Sequence, residues 1–236
     1  MKVKGFLFDY GGTLDTAGCH WGKMLWHAYQ RQFVPIEEEQ FRDAYVFAER
    51  TLGKNPIIQP NYTFHKTLET KLRIEFDHLV DQSWLVVPNE KREQYQKAVL
   101  EDVYSKVCST TLHSADVLSR LKKNYQLLMV SNFYGNLPVV LKEFHLAQYF
   151  SSVVESAVVG VRKPDERIYQ IGLDRIGIPS AEVMVVGDSF KKDIIPAKRL
   201  GCLTAWMKGE GWTSDEQVDG TKVDMVIQDI ADLLNI

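Results

Sequence analysis

The sequence is poor in cysteine and in long apolar runs, and these shortages exclude several classes of protein. Its three cysteines, Cys19, Cys108 and Cys202, lack metal-type spacing and favour a reducing compartment over a disulfide framework. No stretch approaches the ~18 apolar residues of a membrane span, and the apolar run before Asp9 is too short for a signal peptide. We therefore predict a cytoplasmic protein that does not associate with membranes.

Basic residues are not in excess either. The 236 residues carry 28 Lys and Arg against 31 Asp and Glu, a net charge of −3 with neutral histidines, and they form no basic stripe. This balance argues against nucleic acid as a partner. The sequence does not define an oligomeric state. With 45% hydrophobic and 25% charged residues, the composition is that of a globular protein with a sizeable core.

An apolar run that ends in an acidic residue and two glycines lies near the start of the chain. Residues 3–9 are predicted to form a buried strand, and residues 10–15 the loop that follows it. Open α/β sheets bind their ligands beyond the carboxyl ends of the strands. Asp9 is therefore the first candidate for a reactive group.

Two kinds of apolar spacing divide the rest of the chain. Residues 16–107 show the three- and four-residue steps of amphipathic helices, with turns near 53–56 and 87–89 that predict four or five helices. Aromatic residues of this segment, such as Trp21 and Tyr45, are expected in its own core. From residue 112 helices alternate with short apolar strands, predicted at residues 125–130, 150–154, 183–186, 203–207 and 225–227.

This alternation predicts a parallel sheet with helices on both faces. The expected fold is α/β, a doubly wound core of residues 1–15 and 108–236 with an all-α domain of residues 16–107 inserted. The insert leaves the core after Asp15 and is expected to return near Thr110 and Thr111. Its position beside Asp9 predicts a lid that excludes water and selects the substrate.

Polar residues stand at the ends of the later strands. Ser131 and Asn132 follow the strand 125–130, Lys163 precedes a helix, and Asp188 and Asp193 follow the strand 183–186. Taken singly, each is at least as well explained as a turn residue, a helix cap or, for Lys163, a solvated loop lysine. Together they converge on the edge of the sheet that holds Asp9, which predicts a functional site.

Pro196 limits where the helix after residues 183–186 begins. Proline is tolerated in the first helical turn but costs ~3 kcal/mol deeper inside. The helix is therefore predicted to begin near Asp193, with residues 188–193 as a loop. Asp193 would also suit the N-cap of that helix.

The residue types fit phosphoryl transfer. A divalent cation held by carboxylates, such as those of Asp9 and Asp188, offsets the repulsion between a phosphate ester and an attacking carboxylate. Lys163 can neutralise charge that develops on the phosphoryl group, and Ser131 can donate a hydrogen bond to it. Backbone amides near Gly12 can add further donors.

Four motifs, in order, resemble those of the haloacid dehalogenase superfamily. They are Asp9-Tyr10-Gly11-Gly12-Thr13, Ser131, Lys163-Pro164 and Gly187-Asp188 followed by Asp193. The resemblance implies a Rossmann-like core with a helical cap inserted after the first motif. It also implies a Mg²⁺-dependent phosphohydrolase that acts on a small phosphorylated metabolite and forms an aspartyl-phosphate on Asp9.

The resemblance further implies a role for each motif residue. The catalytic set is Asp9, Lys163 and Ser131. The set that binds the phosphate is Ser131, Asn132, Lys163 and Gly12. The set that binds the metal is Asp9, the carbonyl of Gly11, Asp188 and Asp193. Asp193 either coordinates the metal itself or contacts a residue that does.

Gly11 departs from the family pattern. Phosphatases of this family carry at that position an Asp that protonates the leaving group and then activates water, a contribution typically of 10²–10⁴-fold. Without it, we expect slow turnover, a preference for good leaving groups, or a proton donor from the cap. Three alternatives stay open: a weakened member that binds a phosphorylated ligand or partner, a phosphonatase and a dehalogenase. The pair Asp188 and Asp193 argues against the dehalogenase, which needs no metal.

Overall fold

The computed structural model describes residues 2–212 and 222–236. Its centre is a six-stranded parallel sheet in the order β3-β2-β1-β4-β5-β6. The strands are β1 Gly5–Phe8, β2 Gln126–Ser131, β3 Val153–Glu155, β4 Val183–Gly187, β5 Leu203–Met207 and β6 Met225–Ile227. All neighbouring pairs are parallel, which confirms the predicted α/β sheet.

The strand β1 lies between β2 and β4 and is buried over its whole length. Its side chains alternate between the two faces of the sheet. Leu7 packs with Leu128 and Val185 on one face, whereas Phe6 and Phe8 belong to the larger cluster on the other. This burial fixes the strand in the middle of the sheet and places Asp9 at its carboxyl end.

Four helices fill the segment between β1 and β2: α1 Trp21–Arg31, α2 Glu38–Lys54, α3 Phe64–Asp81 and α4 Asn89–Leu121. The predicted turns at 53–56 and 87–89 coincide with the end of α2 and the start of α4. The later helices are α5 Leu137–Glu143, α6 Ser156–Val159, α7 Arg167–Ile176 and α8 Ile195–Arg199.

The helix α4 differs from the prediction because it is continuous over 33 residues. It runs through the expected boundary at residue 108, and Thr110 and Thr111 lie inside it rather than at a hinge. No glycine or proline interrupts residues 89–121, so the backbone hydrogen bonds of the helix continue. One rigid element therefore joins the inserted helices to the sheet.

Three smaller predictions also need correction. The strand expected at 150–154 is β3, Val153–Glu155, because residues Ala147–Tyr149 form a 3₁₀ turn. Residues Phe190–Ile194 form a π-helical turn instead of a loop. Asp193 is not the N-cap of α8 either, because that helix follows Ile194 without a side-chain cap. Ser189 caps the π-helical turn, since its hydroxyl accepts a hydrogen bond from the backbone N–H of Lys192 at 3.3 Å.

The linker into α1 contacts the loop after β5 backbone to backbone. Gly18 has a φ of +83°, and a Cβ there would lie 3.0 Å from the backbone nitrogen of Gly209. A Cβ on Gly209 would in turn overlap the carbonyl group of Gly18. The backbone N–H of His20 donates to the carbonyl of Glu210 at 2.8 Å, which fastens the linker to this loop.

None of the helices in the described part of the chain combines the length and the apolar character that a membrane-spanning segment needs.

A buried carboxyl group inside the helical insert makes the stability of the fold depend on pH. Glu75 is fully buried, and the hydroxyl of Tyr29 donates to its Oε2 at 3.0 Å. Burial raises the pKa of Glu75 to about 7, although Lys71 opposes the shift. The folded state therefore binds more protons than the unfolded state between the ordinary pKa of a glutamate and about 7, and stability falls as pH rises through that window.

We expect Glu75→Gln to stabilise the protein at pH 8, by up to about 3 kcal/mol, and to have little effect at pH 5. The reason is that glutamine keeps the bond from Tyr29 without a buried charge. Chemical denaturation at the two pH values measures the difference. Glu69→Gln, on the same helix but partly exposed beside Lys66, is the control. A gain that is equal at both pH values would contradict the prediction.

Candidate active site

Asp9 lies at the end of β1 with one of its two carboxylate oxygens fully engaged. Oδ1 accepts hydrogen bonds from the hydroxyl of Ser131 at 2.8 Å and from the backbone N–H of Tyr10 at 2.8 Å. The ammonium of Lys163 lies 2.8 Å from the same oxygen. Oδ2 receives none of these contacts. The carboxylate is thus fixed in orientation with a second oxygen free to react.

Lys163 is held between two carboxylates. Its Nζ donates to Oδ1 of Asp193 at 2.7 Å and contacts Asp9 on the other side. The hydroxyl of Tyr169 donates to the same Asp193 oxygen at 2.6 Å, and the backbone N–H of Ser189 donates to Oδ2 at 3.0 Å. Burial would lower the pKa of Lys163, but the two carboxylates outweigh it and hold that pKa above its ordinary value.

The side chain of Asn132 is occupied by the backbone of Lys163. Its Nδ2 donates to the carbonyl of Lys163 at 3.1 Å, and its Oδ1 accepts from the N–H of Lys163 at 2.9 Å. The side chain of Asn132 therefore positions the lysine. Any contribution of this residue to phosphate binding is left to its backbone N–H.

Three carboxyl groups lie close together, and the ammonium of Lys163 contacts two of them. Oxygens of Asp9, Asp188 and Asp193 lie within 4.8 Å of one another. Burial raises the pKa of Asp188 well above its ordinary value, and repulsion from Asp193 and Asp9 raises it further. Burial likewise raises the pKa of Asp9, against the effect of Lys163. A hard divalent cation with oxygen ligands would relieve this repulsion, so the donor set fits Mg²⁺.

The two glycines of the first motif have different steric surroundings. Gly12 has a φ of +93°, and a Cβ there would overlap the carboxyl group of Asp188. Position 12 thus needs glycine. Gly11 has no such restriction, because a Cβ there would meet only Trp21, whose Nε1 would be 3.6 Å away. The missing side chain at residue 11 is therefore not imposed by lack of space for a Cβ.

A cavity of about 1350 Å³ opens between these residues and the helical insert. Aromatic residues of both parts line it, including Trp21 and Tyr45, which the sequence had placed in the core of the insert. The other aromatic lining residues are Phe64, Phe133, Tyr134, Trp206 and Trp212. The aromatic side chains of the insert thus serve the cavity as well as the core.

A polar cluster on the helical insert also lines the cavity. Lys71 forms an ion pair with Glu49 at 2.5 Å and lies 4.2 Å above the ring of Tyr45. The hydroxyl of Tyr134, in the loop that follows Ser131, donates to Glu49 at 3.0 Å. The cluster joins the insert to the loop that follows β2. No spacing in the sequence pointed to it, because its members come from α2, α3 and the loop after β2.

The chain is similar to known proteins over almost its whole length. The chain is 25% identical to the pyrimidine 5'-nucleotidase YjjG of Escherichia coli (strain K12), over 99% of both chains. It is 31% identical to a phosphoglycolate phosphatase of Shigella boydii, over 98% of this chain and 91% of the relative. A solved dehalogenase with an intermediate complex superposes with a TM-score of 0.64 at 16% identity, covering 99% of this chain and 96% of that one.

The family assignment follows from a match over most of the chain. The sequence pattern of haloacid dehalogenase-like hydrolases matches residues 3–201, which includes all four motifs. The parallel sheet and the inserted helices are those of the same fold. The protein belongs to the haloacid dehalogenase-like hydrolase family.

Proposed function

We propose that this hydrolase is a Mg²⁺-dependent phosphatase that uses Asp9 as its nucleophile. The observation that carries the proposal is the asymmetry of the Asp9 carboxylate. Oδ1 is held by Ser131 and Lys163, whereas Oδ2 is left to attack phosphorus. Attack forms an aspartyl-phosphate and releases the leaving group, and water then hydrolyses the intermediate.

The residues that would hold Mg²⁺ are Asp9, Asp188, the carbonyl of Gly11 and Asp193. When bound, the ion offsets the negative charge of the phosphoryl group. Lys163 stabilises charge on the same group, and Ser131 keeps the nucleophile in place. Both oxygens of Asp193 already accept hydrogen bonds, so this residue also fixes Lys163.

The substrate that we propose is a small phosphorylated metabolite. The named relatives are a phosphoglycolate phosphatase and a pyrimidine 5'-nucleotidase, both of which act on such compounds. The cavity of about 1350 Å³ accommodates a leaving group much larger than glycolate, and its aromatic walls favour one with a ring.

A panel of phosphate esters and acyl phosphates, assayed with Mg²⁺ and again with excess chelator, tests the function. We expect turnover of at least one ester and its loss on chelation.

Gly11 favours a second candidate, a family member that binds phosphorylated ligands without hydrolysis, because the usual acid and base is missing. Binding of orthophosphate with Mg²⁺ but no turnover of any panel member would overturn the phosphatase and support this second candidate.

A further inference from the structure

A second carboxyl group lies beside the first motif. Asp15 is buried at the wall of the cavity. Its Oδ1 accepts a hydrogen bond from the backbone N–H of Gly12 at 2.8 Å, and its Oδ2 accepts from the indole N–H of Trp21 at 3.1 Å. Two N–H groups, one from the loop that follows β1 and one from α1, thus hold this carboxyl group in a fixed orientation.

Asp15 lies on the side of the loop to which a side chain at residue 11 would point. A Cβ built on Gly11 would be 3.6 Å from Nε1 of Trp21, the same N–H that Asp15 binds. The N–H of Gly12, the next residue, binds the other oxygen of Asp15. The carboxyl group of Asp15 and the absent side chain therefore share their immediate surroundings.

The surroundings of Asp15 also favour its protonated form. Burial raises the pKa of Asp15 to about 8, and the charge of Asp9 adds to the shift, although the bonds from Gly12 and Trp21 oppose it. A carboxyl group with such a pKa carries a proton at neutral pH. A proton donor of matched pKa is what departure of an alkoxide requires.

We propose that Asp15 is the general acid and base of this phosphatase, in place of the carboxyl group absent at Gly11. The inference rests on the proposed function. In the first step Asp9 attacks phosphorus, the bond to the ester oxygen breaks, and Asp15 donates its proton to that oxygen directly or through one water. In the second step the Asp15 carboxylate takes a proton from the water that attacks the aspartyl-phosphate. Phosphate leaves, Asp9 is free again, and Asp15 is reprotonated.

The effect of Asp15→Asn on two esters with different leaving groups tests whether Asp15 is the proton donor. In the wild type, kcat/KM should vary little between p-nitrophenyl phosphate and an alkyl phosphate that the panel identifies. In Asp15→Asn we expect a fall of about 10²-fold or more on the alkyl ester and only a few-fold on p-nitrophenyl phosphate, because a good leaving group needs no proton. The ratio of the two rates comes from one preparation, so partial misfolding does not affect it.

Two further variants separate acid catalysis from positioning. Trp21→Phe removes the indole N–H that orients Asp15 but keeps its carboxyl group. It should therefore lower the rate on the alkyl ester more than the rate on p-nitrophenyl phosphate, and by a smaller factor than Asp15→Asn does. Gly11→Asp in the Asp15→Asn background returns a carboxyl group to the same surroundings. It should recover at least about tenfold on the alkyl ester, as expected for a restored acid.

The outcomes distinguish this inference from the proposed function. A wild type that already shows the steep dependence on the leaving group, or equal losses on both esters in Asp15→Asn, would overturn the role of Asp15 and leave the phosphatase intact. A wild type that hydrolyses no phosphate compound would instead overturn the phosphatase itself.

Discussion

Asp9→Asn is expected to lower phosphatase turnover by at least about 10⁴-fold, the scale of effect seen when an enzyme loses its nucleophile. The amide cannot attack phosphorus, and its neutral side chain leaves the ammonium of Lys163 with Asp193 alone. Because asparagine has the shape of aspartate, the hydrogen bond from Ser131 can persist. The loss should therefore be chemical rather than structural.

Two measurements check this result. Steady-state hydrolysis gives the rate, and intact mass spectrometry after rapid acid quench detects the phosphorylated protein in the wild type but not in the variant. Asp174→Asn, an exposed position on α7, is the matched control and should retain the wild-type rate. Turnover above about one hundredth of the wild type in a folded Asp9→Asn protein would exclude Asp9 as the nucleophile, given the size of effect expected.

Lys163→Met is expected to produce a large loss of stability. It removes the cation that separates two buried carboxylates, those of Asp9 and Asp193. Breaking a buried ion pair by removing one partner typically costs 3–5 kcal/mol, and we expect about that much at pH 8. The same change should also abolish turnover, since the charge beside the phosphoryl group disappears.

The loss in Lys163→Met should depend on pH with a definite sign. Burial already raises the folded-state pKa of Asp9, and removing Lys163 raises it further. A protonated carboxyl group tolerates burial, so the destabilisation should shrink as pH falls and grow as pH rises. Chemical denaturation at pH 5 and pH 8 measures it.

Lys163→Met combined with Asp193→Asn provides the internal control. One of the two unpaired carboxylates is then neutral, so part of the lost stability should return. Lys97→Met, an exposed lysine of α4, should change stability by no more than about 0.5 kcal/mol. Equal losses at both exposed and buried lysines would contradict the electrostatic explanation.

The strands and the motif residues were predictable because their signals are local. Buried strands such as β1 and β4 are short apolar runs that end at an acidic or small polar residue. In a parallel sheet, that local pattern is enough to bring Asp9, Ser131 and Asp188 to one edge. The contacts of Lys163 with Asp9 and Asp193 agree with the convergence predicted from the motifs.

The course of α4 was less predictable, although a signal was present. The predicted boundary at residue 108 falls within this helix, because the alternation of helices and strands begins soon after it, at residue 112. Val103 and Val107 are buried on one side of that point, and Val117 and Leu118 on the other. The absence of glycine and proline over the whole stretch was the better guide to its continuity.

The remaining residues of the cavity are brought together by contacts that no sequence periodicity encodes. Asp15 contacts Trp21, six residues further on at the start of α1, and no helix or strand periodicity specifies that contact. Lys71 and Glu49 belong to different helices and meet inside the insert. The sequence carries one hint for Asp15, because this acidic residue directly follows the apolar Leu14, and both are buried in the structure. A carboxyl group that is buried needs hydrogen-bond donors, and here they are the N–H groups of Gly12 and Trp21.

The contact between Gly18 and Gly209 constrains how this sequence can change during evolution. The two residues are 191 positions apart, yet the backbone of each occupies the space that a side chain on the other residue would need. Either substitution alone forces the linker and the loop after β5 apart, and with them the bond between His20 and Glu210. Among descendants that keep this junction, we therefore expect the two positions to retain glycine together or to change together. A paired signature of that kind would identify relatives with the same junction between sheet and insert, even where the four motifs alone would not separate them from the rest of the family.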